Sequence, residues 1–203
     1  MLVEHFHNTH KSAGSYPERL QSILRLKDAE IAFNEISTWP SYEQTPLVSL
    51  NKIAAKIGIK EIYYKDESSR FGLGSFKALG GTYGVLRFIK DALEEEFGKT
   101  VAIEDIRSGK YSNNISKYTV TTATDGNHGR SVAFGAKLFG CKCQIYIHSE
   151  VSQGRHDAIE NLDARVVRVD GNYDKSVEIC KNLNLSLNLH EEFFWRPLSP
   201  SLK

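Results

Sequence analysis

Lys77 is the residue best placed for chemistry, because it closes a glycine-broken loop that runs straight into a helix. The stretch reads Lys65-Asp-Glu-Ser-Ser-Arg-Phe-Gly-Leu-Gly-Ser-Phe-Lys77-Ala-Leu-Gly-Gly81. Its spacing predicts that Lys77 is the second or third residue of that helix. A lysine in a first helical turn faces the positive end of the helix dipole, which favours the neutral, nucleophilic amine. Such an amine forms Schiff bases with carbonyl compounds. Two nucleotide readings of the stretch fail on spacing. A Walker loop needs Gly directly before the lysine and Ser or Thr after it, where Phe76 and Ala78 stand. A dinucleotide fingerprint begun at Gly72 and Gly74 would need its third glycine at the position of Lys77.

A second stretch, Thr121-Thr-Ala-Thr-Asp-Gly-Asn-His-Gly-Arg130, closes a predicted strand and opens a helix. Open parallel sheets bind ligands at that point, and the free N–H groups of a helix start can hold an anion. Asp125 there either caps the helix by accepting those N–H bonds or faces a ligand. Asn127 and His128 carry the same ambiguity, as a turn residue and an exposed polar residue.

The elements that must position these two stretches follow from periodicity and punctuation. Ser15-Tyr-Pro-Glu18 predicts a capped scaffold helix continuing through Leu20, Ile23, Leu24, Lys27 and Ile31. Thr45 to Val48 reads as extended, Leu50 to Ile57 as a helix stopped at Gly58, and Glu61 to Lys65 as the strand feeding the Lys77 loop. From Phe76 the positions Leu79, Tyr83, Leu86, Ile89, Leu93 and Phe97 keep helical spacing, predicting one long helix to about Gly98. Gly80 and Gly81 inside it suggest a close backbone or ligand approach. Lys99 to Lys117 is polar and reads as a connection between two halves. Three strands, Tyr118 to Ala123, Cys143 to Ile147 and Arg165 to Val169, then alternate with helices Asn127 to Phe139, Gln153 to Leu162 and Tyr173 to Asn182. That rhythm predicts an α/β fold with an open parallel sheet and flanking helices, a three-layer αβα arrangement.

Composition sets wide limits. The 203 residues carry 26 Lys and Arg against 25 Asp and Glu, a net charge of +1, with both signs interspersed. Nothing points to nucleic acid or an anionic membrane as a partner. No run approaches the roughly 18 apolar residues of a membrane span, and the N-terminus lacks a signal-peptide pattern, so the expected location is cytoplasmic. Cys141, Cys143 and Cys180 are an odd number with no disulfide framework, which suits a reducing compartment. Cys141 and Cys143 lack a second ligand pair at zinc spacing, and His5, His7 and His10 sit in a segment without order signals. No metal site is expected.

Gly-Ser-Phe-Lys77 paired with a strand-end Asp-Gly-Asn-His-Gly129 resembles the pyridoxal-phosphate enzymes of the tryptophan-synthase type, fold type II. The longer agreement, Lys-Asp-Glu-Ser-Ser-Arg-Phe-Gly-Leu, Phe-Lys-Ala-Leu-Gly-Gly, Thr-Asp-Gly-Asn-His-Gly-Arg and Val169-Asp-Gly-Asn-Tyr-Asp174, resembles diaminopropionate ammonia-lyase over about residues 1 to 180. The resemblance implies pyridoxal 5'-phosphate as cofactor and β-elimination of 2,3-diaminopropionate to pyruvate and ammonia. It implies that Lys77 carries the cofactor and serves as base for the L-isomer, with Asp125 as base for the D-isomer. Asn127 would contact the ring hydroxyl, and Phe76, Gly126 and His128 would also line the cofactor. The resemblance further implies a small amino acid as substrate and a homodimer for the full-length family. Other readings are a different fold type II enzyme, such as a threonine or serine dehydratase, and a non-catalytic remnant or binding module.

On the same resemblance, residues 1–98 are the N-terminal part of the larger cofactor domain, including the Lys77 loop and helix. Residues 99–117 connect it to a smaller domain of βαβ units at 118–182, followed by an atypical tail at 183–203. The family is about twice as long and holds the cofactor phosphate on a glycine-rich loop in its second half. This sequence contains no glycine run beyond Gly80-Gly81. The departure begins near Lys181, and the tail is expected to arise from a frameshift, a pseudogene or a mispredicted gene end. Reading the downstream nucleotides in the other two frames checks this.

Overall fold

The computed structural model describes residues 6–10, 14–124 and 126–186, with side chains described as far as 182. Asp125 and the tail from 187 onward lie outside the described residues, as does His5. The chain divides into two compact units, Met1–Trp39 and Pro40–Lys203.

The first unit corrects the expectation of one capped helix from Ser15. It contains α1, Glu18–Gln21, and α2, Leu26–Ile36. Pro17 is itself the N-cap of α1, with no side-chain cap bond. The chain restarts because the Asp28 carboxylate accepts the Arg25 backbone N–H at 2.9 Å and pairs with its guanidinium at 2.8 Å. A helix start satisfied by its own acidic side chain outcompetes continuation of the preceding turn.

The second unit opens with an antiparallel ribbon of β1, Leu47–Ser49, and β2, Tyr63–Lys65, bracketing α3, Asn51–Ile57. Gly58 ends α3 at φ 73°, a left-handed conformation that favours glycine. Leu47, Tyr63 and Tyr64 of the ribbon are exposed. Then comes α4, Lys77–Phe97, closed by Gly98 at φ 61°. The stretch between 99 and 117 carries two short helices, α5, Ile103–Arg107, and α6, Ser112–Ile115, each burying one isoleucine, Ile106 and Ile115.

The βαβ rhythm is realised: β3, Thr119–Ala123, α7, Asn127–Phe139, β4, Lys142–His148, α8, Gln153–Glu160, β5, Arg165–Val169, and α9, Tyr173–Ser186. The strands pair in parallel in the order β3-β4-β5, with Thr122 opposite Ile145 and Ile145 opposite Val166. Neighbouring residues of a strand point to opposite faces. Ile145 lies near Gly129 of α7 and Ile159 of α8, while Tyr146 and Ala123 cluster with Cys180 of α9. Helices therefore cover both faces of the sheet.

Helix α4 packs against α7 and extends the layer on that side. Its buried residues are Ala78, Thr82, Val85, Leu86, Ile89, Ala92 and Leu93, so Phe97 is left exposed and Tyr83 half-buried. The contact is close because small residues line it. A Cβ at Gly81 would stand 2.2 Å from Ser131 Oγ, and one at Gly135 would stand 3.0 Å from the Thr82 Cα. Gly80, one residue earlier, meets nothing within 4 Å. The two glycines should therefore respond with opposite signs. Gly81→Ala is expected to destabilise the fold by about 1–3 kcal/mol through overpacking. Gly80→Ala is expected to stabilise it by about 0.5–1 kcal/mol through helix propensity. Urea midpoints of the two variants check this, and equal shifts would contradict the packing.

Candidate functional site

The loop that presents Lys77 hangs from an ion pair between buried Arg70 and half-buried Glu67. Arg70, 6% exposed, donates from Nε to Glu67 Oε2 at 2.7 Å and from Nη2 to Glu67 Oε1 at 3.0 Å. The same guanidinium reaches Thr45 Oγ1 at 2.9 Å and the Glu43 carbonyl at 2.8 Å, and lies over the Tyr42 ring. The Thr45 hydroxyl also donates to Glu67, and Lys65 Nζ donates to the Thr45 carbonyl. These hydrogen bonds, with Arg70 foremost, hold the Glu67 carboxyl down at about 2. Motif residues Lys65, Glu67 and Arg70 thus build the loop's foundation. Periodicity could not flag that, because the partners Glu43 and Thr45 stand on the far side of α3.

Beyond Arg70 the backbone turns through left-handed residues, Phe71 at φ 50°, Gly72 at 69° and Gly74 at 66°. For Phe71 this conformation costs about 1–2 kcal/mol. Its ring is held against Phe134 of α7, with centroids 5.4 Å apart. Ser75 is buried, and its Oγ accepts the Lys77 N–H at 3.2 Å. Phe76, 64% exposed, is the N-cap of α4. Lys77 is the first helical residue rather than the second or third, and its side chain is exposed.

At the other motif, Thr124 caps the start of α7. Its Oγ1 accepts the backbone N–H groups of Gly126 and Gly129, each at 3.2 Å. Gly129 must lack a side chain, since a Cβ there would stand 2.3 Å from Thr124 Cγ2. Thr124 was not singled out from the sequence, although a threonine ahead of a glycine at a strand end is a recognisable turn former. Gly126 is the N-cap of α7, and Asn127 and His128 are its first two residues, both exposed. The His128 pKa is lowered, first by partial loss of hydration and then by the Lys77 charge. Both influences favour the uncharged imidazole.

The two helix starts lie side by side. Thr82 donates its backbone N–H to Ser131 Oγ at 3.1 Å and its hydroxyl to the Ser131 carbonyl at 3.0 Å, both residues being fully buried. Thr82 pairs with Ser131 and Gly135 packs against Thr82 and Val85, so the helices run in the same direction. Lys77 stands five residues before Thr82, and Asn127 four before Ser131. At 1.5 Å rise per residue, roughly equal offsets put both at the same end. Arg130 Nη1 adds a direct tie, donating to the Leu73 carbonyl of the lysine loop at 2.9 Å. The structure thus gathers Lys77, Phe76, Gly126, Asn127 and His128 at the C-terminal edge of the sheet. Asp125, between Thr124 and Gly126 in sequence, lies outside the described residues.

The cysteines play no part at this edge. All three are free, and burial pushes the Cys141 and Cys143 thiols up to about 12, which leaves them protonated. Among the described residues no helix is long and apolar enough to cross a membrane.

Residues 38–197 match the family described as pyridoxal-phosphate dependent enzyme, and the chain belongs to that family. Over 138 residues it is 39% identical to diaminopropionate ammonia-lyase of Escherichia coli, covering 68% of this chain and 33% of that protein. A probable D-serine dehydratase of Rhizobium etli is 28% identical over 148 residues, covering 69% of this chain and 33% of the relative. The crystal structure of holo diaminopropionate ammonia lyase from Escherichia coli superposes with a TM-score of 0.71 at 35% identity. That match takes in 83% of this chain and 42% of the crystallised one. The chain spans about a third of the length of the curated relatives it matches. Its three-stranded parallel sheet with helices on both faces is part of a fold type II architecture.

Proposed function

We propose that this chain carries the lysine-bearing part of a pyridoxal-phosphate-dependent ammonia-lyase acting on 2,3-diaminopropionate. The observation that carries the reading is the adjacency of the α4 and α7 starts, which brings Lys77 within electrostatic reach of His128. The donor set fits the aldehyde and ring side of the cofactor: a lysine amine, the Asn127 amide and the His128 imidazole. Space fits as well, because a Cβ at Gly80 or Gly126 would meet nothing within 4 Å. In this reading Lys77 holds the cofactor through its amine, Asn127 contacts the ring hydroxyl, and Phe76, Gly126 and His128 line the ring. Residues 1–98 and 118–182 correspond to parts of its larger and smaller domains.

When bound, the cofactor would supply an electron sink for the negative charge left at the substrate Cα. The work of the protein is then proton transfer and positioning. Lys77 would take the α-proton of the L-isomer, and Asp125 would take that of the D-isomer from the opposite face. The β-amino group leaves as ammonia. The aminoacrylate that results takes up water, giving pyruvate and a second ammonia. Positioned acid–base groups of this kind contribute about 10²–10⁴-fold.

Asp125→Asn is therefore expected to suppress turnover of the D-isomer by about 10²-fold or more while sparing the L-isomer. Pyruvate release from each isomer reads this, and equal losses would sink the assignment of faces. Turnover of serine or threonine in preference to 2,3-diaminopropionate would move the chain to a dehydratase. No cofactor attachment at Lys77 would make it a non-catalytic member.

A further inference from the structure

Arg130 closes the second motif yet takes no part in the chemistry assigned above. Among the described residues its guanidinium reaches one backbone atom of the other motif: Nη1 donates to the carbonyl of Leu73 at 2.9 Å. Leu73 is 7% exposed and stands four residues before Lys77. A buried carbonyl needs a donor, and none comes from a helix or strand here, because Leu73 lies between two left-handed glycines. The cost is borne elsewhere on the same side chain, since Arg130 Nε is buried with no hydrogen-bond partner among the described residues. A buried Nε left without a partner among the described residues counts against a purely stabilising role for this half-buried side chain.

Position along α7 gives the arrangement its meaning. Asn127 and His128 precede Arg130 on the same helix, and Phe134, one turn after it, stacks on Phe71 at the start of the loop. Upstream the loop is fixed by Arg70 to Glu67 and Thr45. Downstream of Phe71, Arg130 is the side chain of α7 that grips its backbone. The left-handed turns favour no single exit direction by themselves, so what restrains Leu73 also restrains Ser75, Phe76 and the Lys77 side chain.

We infer that Arg130 is a positioning residue, which holds the lysine loop against the start of α7 so that Lys77 and Asn127 address one and the same cofactor ring. The inference rests on the assignment of Lys77 and Asn127 made under the proposed function. Its geometric content, however, can be read without cofactor. The reporter is His128, which feels the Lys77 charge.

The experiment is an NMR titration of His128 in the 203-residue chain, carried through Arg130→Met, Lys77→Met and the double variant, with Arg130→Lys as the charge-retaining control. If Arg130 acts by placing Lys77, Arg130→Met raises the His128 pKa by more than half the rise caused by Lys77→Met. It then adds little in the Lys77→Met background, because the two substitutions remove one interaction. Arg130→Lys, which keeps a donor and the charge, restores most of the original value. An equal rise in both backgrounds would mean a direct effect of the Arg130 charge, and no rise would mean that the loop holds without it. Either result overturns the inference. A second readout follows pyridoxal phosphate attachment by borohydride trapping and peptide mapping. Attachment at Lys77 is expected to slow about tenfold in Arg130→Met and to recover in Arg130→Lys, the scale of a modest misplacement. If no variant attaches cofactor, the proposed function fails, while the His128 titration still decides the role of Arg130.

Discussion

Lys77→Ala is expected to abolish specific attachment of pyridoxal phosphate and to lower release of pyruvate from 2,3-diaminopropionate by at least about 10²–10⁴-fold. The chemical reason is that Lys77 is the amine at the helix start, while the other lysine of the motif is committed elsewhere. Lys65, the other lysine of the motif, is tied to the Thr45 carbonyl beneath the loop. Lys77 instead projects from the first position of α4, exposed, beside the start of α7. Two measurements check the expectation. Incubation with the cofactor should produce absorbance near the visible edge in the original chain and none in the variant. Borohydride reduction followed by peptide mapping should place the pyridoxyl group on Lys77. A label spread evenly over surface lysines, and unchanged in Lys77→Ala, would remove this residue from the mechanism.

The second large effect is expected at Arg70, on stability rather than chemistry. Arg70→Ala leaves the Glu67 carboxylate without its main partner and strips the Thr45 hydroxyl and the Glu43 carbonyl of donors. Arg70 is buried and Glu67 half-buried, so the loss is expected to fall below the roughly 3–5 kcal/mol of a fully buried pair and still to exceed about 1 kcal/mol. Since Phe71 directly follows Arg70, the strained turn should loosen with it and cofactor attachment at Lys77 should weaken too. The pH dependence has a definite sign. Glu67 titrates at about 2 in the folded chain against an ordinary 4.5. Its stabilising charge is thus fully present above 4.5 and is lost as the pH falls through 2. Urea midpoints should decline across that window in the original chain and decline less in Glu67→Gln. An unchanged acid profile in the variant would show that the pair does not couple to folding.

Much of the architecture was legible in the sequence because it follows from local rules. The alternation of apolar strands with helices of matching length required parallel βαβ units, and the strands at 119–123, 142–148 and 165–169 fall within a residue of the expected bounds. Gly58, Gly98 and Gly140 each stop a helix in the left-handed conformation. The Ser15-Tyr-Pro-Glu18 pattern predicts one N-terminal helix, and the structure has two. Arg25 and Asp28 form a competing start that only pays off once the backbone has already turned.

The sequence by itself determined which residues could do chemistry. A lysine at a loop-to-helix junction, and Asp125, Gly126, Asn127 and His128 at a strand end, are recognisable from type and spacing, since each depends on neighbours within a few positions. Whether Lys77 meets Gly126, Asn127 and His128 was decided only by tertiary structure. Apolar periodicity identified α4 and, in Leu86, Ile89 and Leu93, part of its buried face, but not the small residues Ala78 and Thr82, whose burial is set by how closely α7 approaches. Gly81, Ser131, Thr82 and Gly135 permit that approach and lock it. The supports of the lysine loop, Thr45 to Arg70 and Leu73 to Arg130, span 25 and 57 residues of chain. Hydrogen bonds over such separations leave no periodic trace in the sequence. They appear once the hydrophobic layers have closed and each buried polar group must find a partner within reach. Lys77 was nameable from the sequence, and its place beside His128 is a product of the fold.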